Sequence, residues 1–143
     1  MTYYAVIDTN VLVSALLSSH ENAATVQVVS RLFSGDVIPV FSDVIPVFSD
    51  DILAEYNEVL RRKKFHFSED VVRTLLDTIT SIGEKITPSP SGEVLPDIKD
   101  LPFYEVVLEK EADNAYLITG NIKHFPDKPN IVTAREFLTI LEA

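Results

Sequence analysis

The chain contains no cysteine, which excludes disulfides and thiolate metal sites and leaves oxygen ligands as the way to hold a metal. It also lacks any apolar run approaching the ~20 residues of a membrane span. Asp8 interrupts the N-terminal apolar stretch before a signal-peptide core forms, so a soluble, cytoplasmic protein with no membrane partner is expected. No Ser-His-Asp or Cys-His arrangement is identifiable, which argues against a covalent enzyme intermediate. Basic residues are few: 12 Lys+Arg face 22 Asp+Glu, for a formal net charge of -10. That is the wrong sign for a broad basic surface that binds nucleic acid by charge alone. Apolar residues are plentiful, 46% of 143, enough for one domain (residues 1–143) with a real core and too few for two independent ones.

Strand-like and helix-like patterns alternate along the chain. Residues 3–8 read as a buried strand and Val11–Leu17 as a short apolar helix. A helix from about Asn22 to Phe33 follows, with Val26, Val29 and Phe33 on one face and Gly35 as its stop. Ser49 is placed to cap a helix whose first turn holds Asp50 and Asp51, and which runs to about Arg62. On it Ile52, Leu53, Tyr56, Val59 and Leu60 form an apolar arc, with Glu55 at the border. Ser68 to about Ile82 is a further helix with Val71, Val72, Leu75, Leu76 and Ile79 at helical spacing. Glu84–Thr87 reads as a short strand, and Pro88–Gly92 as the most mobile loop. A helix over Leu101–Ala112 is expected to keep Phe103 and Tyr104 in the core or at its rim. A strand over Ala115–Thr119, a short strand at Ile131–Val132 and a last helix capped by Thr133 complete the pattern. Such alternation predicts an α/β fold with a parallel sheet in three layers.

Residues 36–42, Asp-Val-Ile-Pro-Val-Phe-Ser, are repeated at once as residues 43–49. Side chains alternate with period 2 along a strand, so a seven-residue shift would put the two copies on opposite faces of one straight strand. Pro39 and Pro46 each remove a ladder donor and argue further against a long central strand. The second copy, which abuts the Ser49 helix, is expected to fill the sheet. The first is expected to form a surface bulge, or to pair as an extra edge or between chains.

Chemistry concentrates where strands end. Asp8 sits where the first strand hands over to a helix, and open α/β sheets bind ligands outside the carboxyl ends of their strands. Glu55, Asp97 and Asp100 add carboxylates, and Thr119-Gly120-Asn121 is a turn that ends another apolar segment. Together they predict a metal site built from oxygen ligands. Asp8 also suits helix capping, and Asp100, before Leu101-Pro102, suits it equally. Thr9 and Asn10 are placed to support rather than to ligate, and Asp97 to act from its loop or from behind the ligands. Arg61, Arg62, Lys63 and Lys64 form the densest basic patch, explained by solvation and helix-dipole compensation or by contact with RNA. Lys123 is a further candidate for RNA contact.

Four segments carry a resemblance: Ile7-Asp8-Thr9-Asn10-Val11-Leu12, Leu53-Ala54-Glu55-Tyr56, Asp97-Ile-Lys-Asp100-Leu-Pro-Phe103 and Leu117-Ile118-Thr119-Gly120-Asn121. In order and spacing they resemble the PIN domain family (PilT N-terminus). Lys123-His124-Phe125-Pro126 resembles its bacterial VapC-like branch, the toxins of toxin-antitoxin systems. The resemblance implies a sheet of about five mainly parallel strands in a three-layer α/β/α sandwich, and a magnesium- or manganese-dependent ribonuclease site. It matches Asp8, Glu55 and Asp100 to the family's acids, with Asn121 where many members carry a fourth Asp. It further implies an antitoxin partner lying over the site and a homodimer.

On that reading Asp8 and Asp100 bind metal, Glu55 binds metal or orients water, and Asn121 and Thr119 assist. A rival reading is a catalytically silent module whose acidic cleft holds a partner's basic side chains. A phosphatase is a third, although its usual second Asp two residues after the nucleophile is here Asn10.

Overall fold

The computed structural model describes residues 2–33 and 43–142. Five strands form one all-parallel sheet in the order β3-β2-β1-β4-β5, where β1 is Thr2–Ile7, β2 Asp43–Phe48, β3 Glu84–Lys85, β4 Ala115–Ile118 and β5 Ile131–Val132. Six helices alternate with them among the described residues: α1 Thr9–Leu17, α2 Ala24–Phe33, α3 Asp50–Leu60, α4 Glu69–Ile82, α5 Leu101–Lys110 and α6 Ala134–Glu142. On one face α5 covers β1 and β4 with α3 beside it, and on the other α2 packs among α1, α4 and α6. The result is the expected three-layer α/β/α sandwich. Among the described residues no helix is long and apolar enough to cross a membrane.

Local chemistry sets most of these boundaries. The Ser49 hydroxyl accepts from the Ile52 N–H at 3.2 Å and starts α3, and Ser68 does the same for α4 through Val71. Thr133 and Glu136 exchange bonds across the first turn of α6, a capping box. Pro102 sits in the first turn of α5, where its missing donor is harmless. Buried apolar side chains from both sheet faces then form one continuous core, with Phe103, Tyr104, Ile52, Tyr56 and Leu60 inside it.

Some expectations fail for identifiable reasons. α1 begins at Thr9, two residues before Val11, because Asp8 rather than a later residue stands at its N-cap. α2 starts at Ala24 and buries Val28, Leu32 and, as expected, Val29, with Val26 half-buried; the Phe33 side chain lies outside what is described. Val71 is exposed, since α4 buries only a narrow stripe through Val72, Leu75, Leu76 and Ile79. β3 is two residues rather than four, and α5 ends at Lys110 in a 3-10 turn. In the Pro88–Gly92 loop the Ser89 and Ser91 N–H groups donate to Glu109 and Glu105 on α5 at 2.9 and 2.6 Å.

The second repeat copy is β2, and it lies inside the sheet between β3 and β1 despite Pro46. The Phe48 carbonyl accepts from Ile86 N–H at 2.9 Å on the β3 side, and residues two apart in a strand share a side. Pro46 therefore turns its missing donor toward β3, whose pairing begins only at Val47 and Glu84. A Cβ at Gly83, just before β3, would lie 2.7 Å from the Pro46 carbonyl oxygen and 2.4 Å from that of Ile79. Glycine alone fits that approach. The first copy, residues 36–42, and the stop at Gly35 lie outside the described residues.

Candidate active site

The chain places β1 at the centre, adds β2 and β3 on one side, then returns to add β4 and β5 on the other. The order of strands reverses between β1 and β4, and a crevice opens at the carboxyl ends of strands at such a switch point. Asp8 follows β1 and Thr119 follows β4, so both stand at its mouth.

Asp8 occupies the N-cap position of α1 but makes no side-chain capping bond. Its Oδ2 instead accepts from the Thr119 hydroxyl at 2.8 Å and from Asn10 Nδ2 at 3.1 Å. Thr119 Oγ1 in turn accepts from the Asn121 N–H at 2.9 Å, and Asn10 Oδ1 from the Gly120 N–H at 3.0 Å. These four bonds stitch the start of α1 to the turn after β4. Asp8 is only 4% exposed and Thr119 0%, so the carboxylate is fixed by neutral donors in a nearly dry setting.

Glu55 is half-buried on α3 and accepts a short hydrogen bond from the Thr9 hydroxyl. The neighbouring Tyr56, fully buried, donates its hydroxyl to the Ile7 carbonyl and fastens α3 to the end of β1. Asp100, buried at the start of α5, likewise makes no capping bond, and its Oδ2 lies 3.0 Å from His124 Nδ1. Capping does not explain either Asp8 or Asp100.

The carboxylates share one electrostatic field. Burial, and then the charges of Asp100 and Glu55, push Asp8 up to about 6 against the pull of Thr119's hydrogen bond. Burial also raises Glu55, opposed by the Thr9 bond and reinforced by Asp100, with Lys99 and Arg62 drawing it back. Asp100 is raised by burial and by Asp97, and lowered by its bond to His124. Among the described residues no three His, Cys, Asp or Glu side chains stand close enough to make a ready metal cluster. The acids thus repel one another without touching. Hard oxygen donors, mutual repulsion and no Lys or Arg paired with Asp8 or Glu55 among the described residues are the chemistry that a magnesium or manganese ion fits.

Residues 4–123 match the family model of the PIN domain. The chain belongs to the PIN domain family. No curated protein and no solved structure matches it. PIN domains are generally nucleases and usually use a divalent metal, and the match spans all four segments that carry the resemblance, three of which hold the acids.

Other expected residues of this PIN domain fall into distinct places. Asn121 enters the network through its backbone, and its side chain is exposed. Asp97 is exposed and accepts from the Lys99 N–H at 2.9 Å, forming the 3-10 turn Ile98–Asp100 that presents Asp100. Thr9 and Asn10 each bond a site carboxylate. Arg61 pairs with Glu69 at 2.7 Å and Arg62 with Glu58 at 2.9 Å, so half of the basic patch is neutralised internally. Lys63, Lys64 and Lys123 are exposed. The sequence gives no sign that His124 reaches Asp100, because a histidine in a loop after a turn carries no periodicity that would pair it with a residue 24 positions earlier.

Proposed function

We propose that this PIN domain is a magnesium- or manganese-dependent ribonuclease that hydrolyses RNA phosphodiester bonds, the toxin of a toxin-antitoxin pair in the cytoplasm. One observation carries the reading: Asp8, buried at the switch point, is held by Thr119 and Asn10 and feels the charges of two further carboxylates, with no Lys or Arg in an ion pair with it among the described residues. The VapC-like segment Lys123-His124-Phe125-Pro126 supports the toxin assignment.

Asp8 and Asp100 would hold the ion, with Glu55 as a third ligand or as the group that orients water. When bound, the divalent ion supplies charge neutralisation at the phosphate and acidifies a water for in-line attack. In the water-orienting role Glu55 takes the proton of the attacking water as the new P–O bond forms and the old one breaks, the leaving oxygen taking its proton from solvent. The raised proton affinity of Glu55 suits that task. Thr119 and Asn10 hold Asp8 in one orientation, and His124 holds Asp100. In Asp8→Asn, magnesium-dependent RNA cleavage should vanish while circular dichroism stays native. Undiminished cleavage by that variant would refute the assignment.

The net charge of -10 and the internal pairing of Arg61 and Arg62 favour, as a second reading, a silent module whose acidic cleft takes a basic protein segment. An antitoxin is the partner of either reading, and a homodimer its assembly. Saturable binding of a basic peptide with no turnover of RNA under any divalent ion would select the module.

A further inference from the structure

Beside the acids, α1 and α3 part to leave an open groove of about 540 Å³, within the size range of small-molecule sites. Val13 and Leu17 of α1, Val59 of α3 and Phe65 make its apolar walls, and Thr9 and Asn10 line it where it meets the site. Those last two residues bond Glu55 and Asp8. Leu17 is 57% exposed, an apolar surface left open at the end of α1 away from the acids.

Phe65 ends the 3-10 turn Lys63–Phe65. Its ring stacks on Phe67, with centroids 5.4 Å apart and planes at 11°, and the Lys64 ammonium lies 5.1 Å from its centroid. Lys63 and Lys64 are exposed and in no ion pair among the described residues. In a chain whose arginines at 61 and 62 are already paired, this is a place where positive charge is available beside an apolar slot. Ser14 and Ser18 add exposed or half-exposed hydroxyls to the lining, engaged in the free chain with Thr25 and His20 and open to exchange those partners for a ligand.

We infer that this groove is a base-binding subsite: it takes the base of a single-stranded RNA nucleotide next to the cleaved linkage, and Lys63 and Lys64 take the adjoining phosphate. The inference rests on the ribonuclease reading for the identity of the polymer and adds where its sequence preference arises. Apolar and aromatic walls suit the flat face of a base, serine hydroxyls suit its edge, and the two ammonium groups suit a phosphate. A basic peptide would be repelled by the same lysines. Two lysines on one phosphate, rather than a broad basic surface, reconcile RNA binding with a chain of net charge -10.

The test is a fluorescence titration of a short single-stranded oligoribonucleotide carrying 2-aminopurine into the full chain in EDTA at low salt. Binding should quench the probe, and Phe65→Ala should abolish the quench. Ser14→Trp, which fills the groove from an exposed position, should abolish it too, and thermal melts of both variants show that they are folded. Replacing Lys63 and Lys64 by Ala should weaken binding and flatten the dependence of log K on log salt by about 0.7, the worth of one phosphate on a single strand. In manganese-dependent cleavage, Phe65→Ala should raise KM about five- to a hundredfold, the worth of one stacked base, with kcat nearly kept. An abasic substrate should impose that loss on the wild type and none further on the variant. Equal quench and KM in wild type, Phe65→Ala and Ser14→Trp would overturn the inference, as would a wild type that never quenches. Groove variants that spare RNA affinity but weaken self-association or binding of an acidic peptide would make this a protein-docking surface and overturn it as well. A wild type that quenches through Phe65 yet never cleaves would end the ribonuclease reading and leave the groove assignment standing.

Discussion

Asp8→Asn should make the metal-free protein more stable at neutral pH while destroying its proposed activity. In the folded chain Asp8 titrates at about 6 against 3.8 for an ordinary aspartate, chiefly because it is buried and faces Asp100 and Glu55. Between those values the folded state holds a proton that the unfolded chain has released, so stability falls as pH rises through this window. At about 1.36 kcal/mol per pH unit the ionised carboxylate costs about 3 kcal/mol above pH 6. Asparagine removes that cost and keeps the two side-chain bonds, because both side-chain donors, Thr119 and Asn10, end on the single atom Oδ2, which an amide oxygen replaces. Urea unfolding in EDTA at pH 7.5 should show a gain of up to about 3 kcal/mol for the variant, shrinking toward zero near pH 4. Manganese at a hundredfold excess over its Kd should then stabilise the wild type by about 2.7 kcal/mol and the variant far less. An asparagine variant less stable than wild type at pH 7.5 in EDTA would refute the claim that repulsion and burial strain this carboxylate.

Thr119→Val keeps the shape but removes the donor to Asp8 and the acceptor of the Asn121 N–H. It should cost about 1–3 kcal/mol in unfolding free energy and, by carbon NMR titration, move Asp8 higher still. Gly83→Ala forces a methyl against the backbone oxygens of Ile79 and Pro46, neither of which is a flexible side-chain end. A loss of about 1–3 kcal/mol is expected in thermal or urea unfolding, and a neutral substitution would mean that β3 is held more loosely than described. His124→Ala removes the partner of Asp100, whose proton affinity then rises further. Manganese binding by calorimetry should weaken about 10- to 100-fold, more at pH 6 than at pH 8, because protons compete better for the unpartnered carboxylate.

Much of the fold is legible in the residues themselves. The Ile131–Val132 strand, the Ser49 cap, the helix start at Ser68 and the Thr133 cap are local events, decided within a turn of chain. Periodicity was less reliable wherever the answer depended on what packs against a face. Val71 has the helical spacing of a core residue, yet among the described residues it stays about half exposed. Pro46 breaks a rule of central strands and is tolerated because its missing donor faces a neighbour that has not yet begun. At the site the residue types were readable and their partners were not. Asp8 has the spacing of a helix cap and is instead bonded to a threonine 111 residues away, and Asn121 contributes its backbone where its side chain was expected.

From its sequence alone this chain determines the order of its strands and helices, the absence of cysteine ligands and which acids stand at strand and helix ends, since caps, breakers and apolar alternation act over a few residues. Only the tertiary structure decides that Asp8, Glu55 and Asp100 feel one another, that Thr9, Thr119 and His124 hold them, and that a groove opens between α1 and α3. The reason is physical: hydrophobic spacing dictates which face is buried but not what meets it, and a carboxylate's proton affinity depends on solvent exclusion and on charges brought near by distant segments.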